Sequence, residues 1–181
     1  VFSTSVPLKI YAEVPPKTSA ACIGLAEKEI VVSTHIPQIA SVGLPFTLVE
    51  LASDEDLRRA TPITDQFQKA EALYANDIDM FAIFAYVRHG DHINARMFPP
   101  LNNIPDDPAT GSAAAAFGAF LCQLGGKPLS LTIDQGVDMG RPSRIDVTTE
   151  FTNGTCTAVK IGGSALQTMQ GNLTYSARGI A

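Results

Sequence analysis

The chain has 181 residues, 45% of them apolar and 17% charged, with a formal net charge of -5. That length suits about one domain with a core of its own. No cluster of Lys and Arg marks a nucleic-acid footprint, and the longest near-unbroken apolar run, Ala113 to Leu124, is far shorter than the ~20 residues of a membrane-spanning helix.

Val1-Phe2-Ser3-Thr4 shows neither an initiator Met nor the basic-then-apolar pattern of a secretory signal. The expectation is a chain that begins mid-protein, or was processed or truncated, and that works in the cytoplasm. Val6, Leu8, Ile10, Ala12 and Val14 alternate with other residues at a period of two, which predicts a strand ending at Pro15-Pro16. Ile30 to Ser33 and Phe46 to Leu51 read as further strands, with a turn over Ser41-Val42-Gly43-Leu44-Pro45. Ser53 can cap a helix over Asp54 to Ala60, acidic in its first turn and carrying Arg58 and Arg59 in its last. Thr64 can cap a second helix that puts Phe67, Ala70, Leu73 and Tyr74 on one face.

Phe81 to Val87 is an apolar run of strand length, turned back by His89-Gly90-Asp91 into Ile93 to Phe98. After the loop from Pro99 to Pro108 comes Ala113 to Leu124, apolar on every face. Such a helix must be buried on all sides, and Gly125-Gly126 is a fitting end to it. Leu129 to Asp134, Ser143 to Thr149, Thr155 to Ile161 and Ala165 to Gln170 read as four more strands. Short strands around one buried helix predict an α+β fold, a sheet rolled about that helix.

Cys22, Cys122 and Cys156 are odd in number and widely spaced, and read as reduced, buried thiols. The sequons at Asn153 and Asn172 read as chance. His89-Gly90-Asp91-His92 has no third or fourth ligand nearby, so no metal site is expected there. Arg141 reads as a turn arginine bonded to carbonyls or to Asp138. Glu27-Lys28-Glu29 and Arg58-Arg59 read as solvated charge.

The chemistry-bearing stretch is Asp106-Asp107-Pro108-Ala109-Thr110-Gly111-Ser112-Ala113-Ala114. Two carboxylates precede the start of the buried helix, where unpaired N–H groups and the helix dipole favour an anion. Small residues from Ala109 to Ala113 let a carboxylate-bearing ligand approach that backbone, and Thr110 and Ser112 add hydroxyls. The competing reading is structural: Thr110 or Ser112 caps the helix, and Asp106 and Asp107 complement its dipole.

This stretch resembles the signature of the phenazine-biosynthesis PhzF-like family, of diaminopimelate-epimerase-like fold. Phe2-Ser3-Thr4-Ser5 with Leu8, Ser41 to Phe46, Arg96-Met97-Phe98 with Pro100, and Gly136 to Ser143 with Gly162-Gly163-Ser164-Ala165 resemble family segments in order and spacing. The resemblance implies two similar domains, each a curved mixed sheet or barrel wrapped around a central buried helix, and proton chemistry with neither cofactor nor metal. It implies Asp107 as a catalytic acid/base and Thr110, Gly111, Ser112 and Ala113 as substrate-anion contacts. It implies as partners a small carboxylate-bearing substrate and a companion domain or chain, and it allows a homodimer.

The family's principal acid/base is a glutamate of the first domain, accompanied by a His in a Gly-His-Pro context. Neither motif stands in this sequence; Glu50 and His35 are the nearest candidates, in different surroundings. By the resemblance, residues 1–16 are the last strands of a mostly absent first domain, 17–170 the second domain, and 171–181 a tail returning toward the first. The expected function is an isomerase-type proton transfer on a small carboxylate. The alternatives are a non-catalytic binding or scaffolding member of the same fold, or an inactive fragment.

Overall fold

The computed structural model describes residues 1–74, 78, 80–172 and 174. Its strands are β1 (Phe2–Thr4), β2 (Lys9–Glu13), β3 (Gln38–Ser41), β4 (Pro45–Glu50), β5 (Ile83–His89), β6 (His92–Phe98), β7 (Ser130–Gln135), β8 (Ser143–Thr152) and β9 (Thr155–Gly162). Its α-helices are α1 (Pro16–Cys22), α2 (Asp54–Arg59), α3 (Thr64–Tyr74) and α4 (Gly111–Gly125). The strands form one sheet in the order β1-β9-β8-β7-β6-β5-β4-β3-β2.

That order forces the sheet to curl. Laid flat, nine strands would span about 38 Å from edge to edge. Yet the two edge strands, β1 and β2, are joined by Ser5 to Leu8 alone, a link that reaches about 18 Å at full stretch. The sheet therefore wraps, and α4 fills the inside, touching β8 and β9 on one side and β3 and β4 on the other. This is the α+β arrangement anticipated from the sequence, a curved mixed sheet about a buried helix.

Two of the sheet's pairings, β4–β5 and β6–β7, are parallel and need crossovers. α2 and α3 make the first and α4 makes the second. Every residue of α4 from Ala113 to Cys122 is buried, which is why the helix carries no polar stripe. Gly118 lets it lie against β8, since a Cβ there would come within 2.5 Å of Val147 Cγ1. Gly126, at φ 62, closes the helix in the left-handed conformation.

A second core lies on the outer face of β3 to β6, beneath α1, α2 and α3. It takes Val14, Cys22, Ile23, Leu57, Phe67 and Phe81, among others. β5 serves both cores: Phe84 and Tyr86 face Phe117 of α4, while Ile83, Ala85 and Val87 face outward into the second core. A strand covered on both faces reads as an unbroken apolar run. β8 is covered on one face, and its Ile145, Val147 and Thr149 alternate with exposed Arg144, Asp146 and Thr148.

Several sequence expectations are corrected. Ile30 to Ser33 is not a strand: Ile30 makes a single bridge to Leu51, and the position beside β4 belongs to β3. Ala165 to Gln170 forms no strand either, because β1 already occupies the free edge of β9; Leu166 and Met169 are exposed. α1 was not anticipated, although Pro16 stands in its first turn, where proline fits. Thr64 is the first residue of α3 and not its cap. Leu73 is 71% exposed, off the face that buries Phe67 and Ala70. Ser53 caps α2 as expected, accepting from the Asp56 N–H. Of the tail 171–181, only residues 171, 172 and 174 are described.

Candidate functional site

Asp107 to Gly111 enters the barrel at one pole, over the N-terminus of α4. The loop is tied to the sheet by the Asp107 N–H, which donates to the Met97 carbonyl at 2.9 Å. The first intrahelical bond is from the Ala114 N–H to the Thr110 carbonyl, so the amides of Gly111, Ser112 and Ala113 precede the helical ladder. Gly111 and Ser112 are exposed. The side chain of Ala113 is wholly buried in the core, so this residue can offer a ligand its N–H alone.

Beside that helix start is a cleft of about 370 Å³ lined by Ala109, Gly111, Pro142, Ser143, Arg144, Ile145, Ile161, Gly162, Gly163 and Ser164. This is at the lower end of the range for small-molecule sites. The closing segments that resembled family motifs, around Ser143 and Gly162-Gly163, thus form its far wall.

Thr110 does not cap the helix with its side chain. Its hydroxyl donates instead to Asp107 Oδ2 at 2.5 Å. Both residues are gripped by Gln135, the last residue of β7, which is fully buried. Gln135 Nε2 donates to the Asp107 carbonyl at 2.6 Å and to Thr110 Oγ1 at 3.0 Å. Its Oε1 accepts from the Thr110 N–H at 3.3 Å. The sequence reading missed Gln135; the available signal was a polar residue following Leu131 and Ile133 on the inward register of β7, directly before a glycine turn.

The two carboxylates of the motif do different work. Asp106 Oδ2 takes a fork of hydrogen bonds from Arg96 Nε and Nη2, at 2.9 and 2.8 Å. Arg96 Nη1 in turn donates to the carbonyls of Leu57, Arg58 and Ala60 at the end of α2. Burial pushes the Asp106 carboxyl above its usual range against the pull of Arg96. Asp106 is therefore a buried strut between the site loop and α2, and Asp107 is the carboxylate left at the helix entrance.

Glu50 and His35 sit elsewhere. His35 Nε2 lies 2.7 Å from the Tyr86 hydroxyl, which donates to Glu50 Oε2 at 3.2 Å. His35 packs on Phe120, nine residues or about 13 Å along the helix axis from Gly111, so neither group reaches the cleft. His89 pairs with Asp54 and His92 with Asp134, and no group of three metal-ligating side chains occurs among the described residues. Asp138 lies 3.9 Å from Arg58, and the Arg141 side chain makes no hydrogen bond to a carbonyl or to Asp138 among the described residues. Glu27, Lys28, Arg58 and Arg59 are exposed as expected, while Glu29 is half-buried and is bridged by Arg59 to Asp56. All three cysteines are free and buried, and burial pushes the Cys22 and Cys156 thiols up to about 12.

The family model of the phenazine biosynthesis-like proteins matches residues 1–171. The chain belongs to this family. It is 30% identical over 175 residues to an uncharacterized isomerase of Mesorhizobium japonicum, covering 93% of this chain and 58% of that protein. It is 32% identical over 97 residues to the trans-2,3-dihydro-3-hydroxyanthranilate isomerase of Pseudomonas aeruginosa, covering 52% of this chain and 35% of that one. The crystal structure of a PhzF-family phenazine biosynthesis protein of Bacillus anthracis shares the fold, with a TM-score of 0.68 over 91% of this chain and 60% of that chain at 19% identity. This PhzF-like chain spans about half the length of the curated relatives it matches. Among its described residues, no helix is long and apolar enough to cross a membrane.

Proposed function

We propose that this chain carries the aspartate side of a cofactor-independent isomerase site that moves a proton on a small carboxylate-bearing substrate. The observation that carries the reading is the Asp107–Thr110 pair at the start of α4, where three amides precede the helical ladder and Gly111 lines a small cleft. The substrate carboxylate docks on the N–H groups of Gly111, Ser112 and Ala113, where the helix dipole favours negative charge. The Ser112 hydroxyl adds a donor. Thr110 holds Asp107, and Asp107 gives or takes the proton. The second acid/base group, a glutamate in the family pattern, comes from a companion domain or a second chain that supplies the opposite wall. In this reading the protein works in the cytoplasm, and β1 and β2, within residues 1–16, belong to this chain's own sheet. The Pseudomonas aeruginosa relative's name makes trans-2,3-dihydro-3-hydroxyanthranilate the first substrate to try.

The test begins with the intact mass of the natural protein. A value above 19.2 kDa places the companion on the same chain; at 19.2 kDa, turnover requires a second chain. Incorporation of solvent deuterium into the substrate is then compared for the natural protein and Asp107→Asn. A positioned acid/base group contributes about 10²–10⁴-fold, so the variant should fold normally and lose at least about tenfold in rate. A fully folded variant that exchanges deuterium at the natural rate removes Asp107 from the mechanism. Binding of the carboxylate with no exchange in the natural protein would favour a non-catalytic member of the fold.

A further inference from the structure

Gln135 does not line the cleft and meets Asp107 only at its backbone carbonyl, yet its bonds determine which way a proton points. Its amide orientation is fixed by two backbone groups of opposite kind. The Asp107 carbonyl can only accept, so the group 2.6 Å from it is the NH₂. The Thr110 N–H can only donate, so the atom receiving it is the oxygen. With the amide so oriented, its second N–H is aimed at Thr110 Oγ1 at 3.0 Å. A hydroxyl has one proton to give. Thr110 Oγ1 already accepts from Gln135, and the acceptor within reach of its own proton is Asp107 Oδ2 at 2.5 Å.

We propose that Gln135 is a positioning residue for the site: through the Thr110 hydroxyl it commits one proton to Asp107 Oδ2 and so reserves Oδ1 as the oxygen that exchanges a proton with the substrate. Oδ1 makes no hydrogen bond among the described residues. The charged groups on the surrounding elements are occupied elsewhere or solvated. Arg96 of β6 is held by Asp106, Arg144 of β8 is paired with Asp134 of β7, and Asp138 of the β7–β8 loop lies beside Arg58. Arg141 in the same loop is exposed. Apart from Asp107 itself, no neighbouring charge competes for the Thr110 hydroxyl, so its polarity is set by the Gln135 amide on one side and the Asp107 carboxyl on the other.

The proposal rests on Asp107 acting in the reaction suggested above, but its test reads Asp107 itself and needs no substrate. The ¹³C chemical shift of the Asp107 carboxyl carbon is compared at one fixed pH in the natural protein, Thr110→Ser, Thr110→Val, Gln135→Leu, and the double variant Thr110→Val with Gln135→Leu. Thr110→Ser keeps the hydroxyl and should give the natural signal. Thr110→Val and Gln135→Leu should each displace the signal in the same direction, because each disturbs the hydrogen bond at Oδ2. Because both break the same relay, the double variant should displace it no further than Thr110→Val alone. A Gln135→Leu signal equal to the natural one overturns the proposal, and so do displacements that add in the double variant, since a merely structural glutamine would act independently of the hydroxyl. If Gln135→Leu does not fold, Gln135→Met, which is closer in length and adds no charge, carries the same test with the same two outcomes. Normal deuterium exchange by Asp107→Asn would defeat the functional reading while leaving these signals unchanged, so the two failures are distinguishable.

Discussion

Two glycines in the site region illustrate opposite demands. Gly136 follows Gln135 with φ at 75°, and a Cβ on it would lie 2.4 Å from the Arg141 carbonyl oxygen and 2.8 Å from that of Pro108. These are backbone atoms that cannot swing aside, and the left-handed conformation adds about 1 kcal/mol for any side chain. Gly136→Ala should therefore lower stability by about 2 kcal/mol or more, read as a fall in the urea midpoint; an unchanged midpoint would refute the account of that turn. A Cβ on Gly111 would meet Ile161 Cγ2 at 3.8 Å, an ordinary contact. Gly111→Ala should accordingly melt like the natural protein while weakening carboxylate binding, because the added methyl intrudes where the ligand must approach the amides. Equal binding by this variant would show that the anion does not sit at the helix start. Gly111 was legible in the sequence because it belongs to a contiguous motif. Gln135 was not, because its partners Asp107 and Thr110 are more than 20 residues away and only the β6–β7 crossover brings them together.

At the scale of elements, legibility followed coverage. α4 and β5 announced themselves because each is surrounded, one inside the barrel and the other between two cores, and neither needs a polar face. β8 showed its alternation because one face is wet. Ala165 to Gln170 misled because composition does not reveal that β1 already holds the edge of β9, and Ile30 to Ser33 misled because β3 is the partner of β4. Arg58 and Arg59 of α2 are exposed, as their charge suggests, yet Arg59 also joins a network of carboxylates. Ser53 and Arg59 hold the Asp56 carboxyl below its usual range. The Ala26 N–H and Arg59 do the same for Glu29, and Asn94 and His89 for Asp54. A carboxylate whose value is lowered by folding stabilises the protein above its unfolded value near 4, and that stability disappears as the pH falls through the folded value. Arg59→Leu should therefore lower the urea midpoint at pH 7, and the deficit should shrink as the pH falls below the ordinary carboxylate range and these groups take up protons. A deficit of equal size at neutral and at acid pH would mean that Arg59 contributes through packing and not through charge.

Over the whole molecule, the curled sheet leaves the two cores on opposite faces of the same strands. Ile83 belongs to the outer core and its neighbour Phe84 to the inner one; losing either core would strip one face of β4, β5 and β6. The site depends on both. Its loop hangs from β6 through Met97 and Asp107, and Arg96 ties Asp106 to the end of α2 in the outer layer. The two cores should therefore unfold together. Phe117 on α4 fills the inner core against Phe84 and Tyr86, and Phe67 on α3 fills the outer core against Phe81. Truncating a buried phenylalanine to alanine costs about 3–5 kcal/mol, so Phe117→Ala and Phe67→Ala should each produce a large fall in stability. If the cores are coupled, both variants keep one transition, with tyrosine fluorescence and far-UV circular dichroism superimposing. If Phe67→Ala instead melts α1 and α3 in a separate, earlier step while the barrel signal persists, the outer layer is an independent unit. The strut from Arg96 to Asp106 would then have to be made with α2 alone, and the cleft should outlast the loss of that layer.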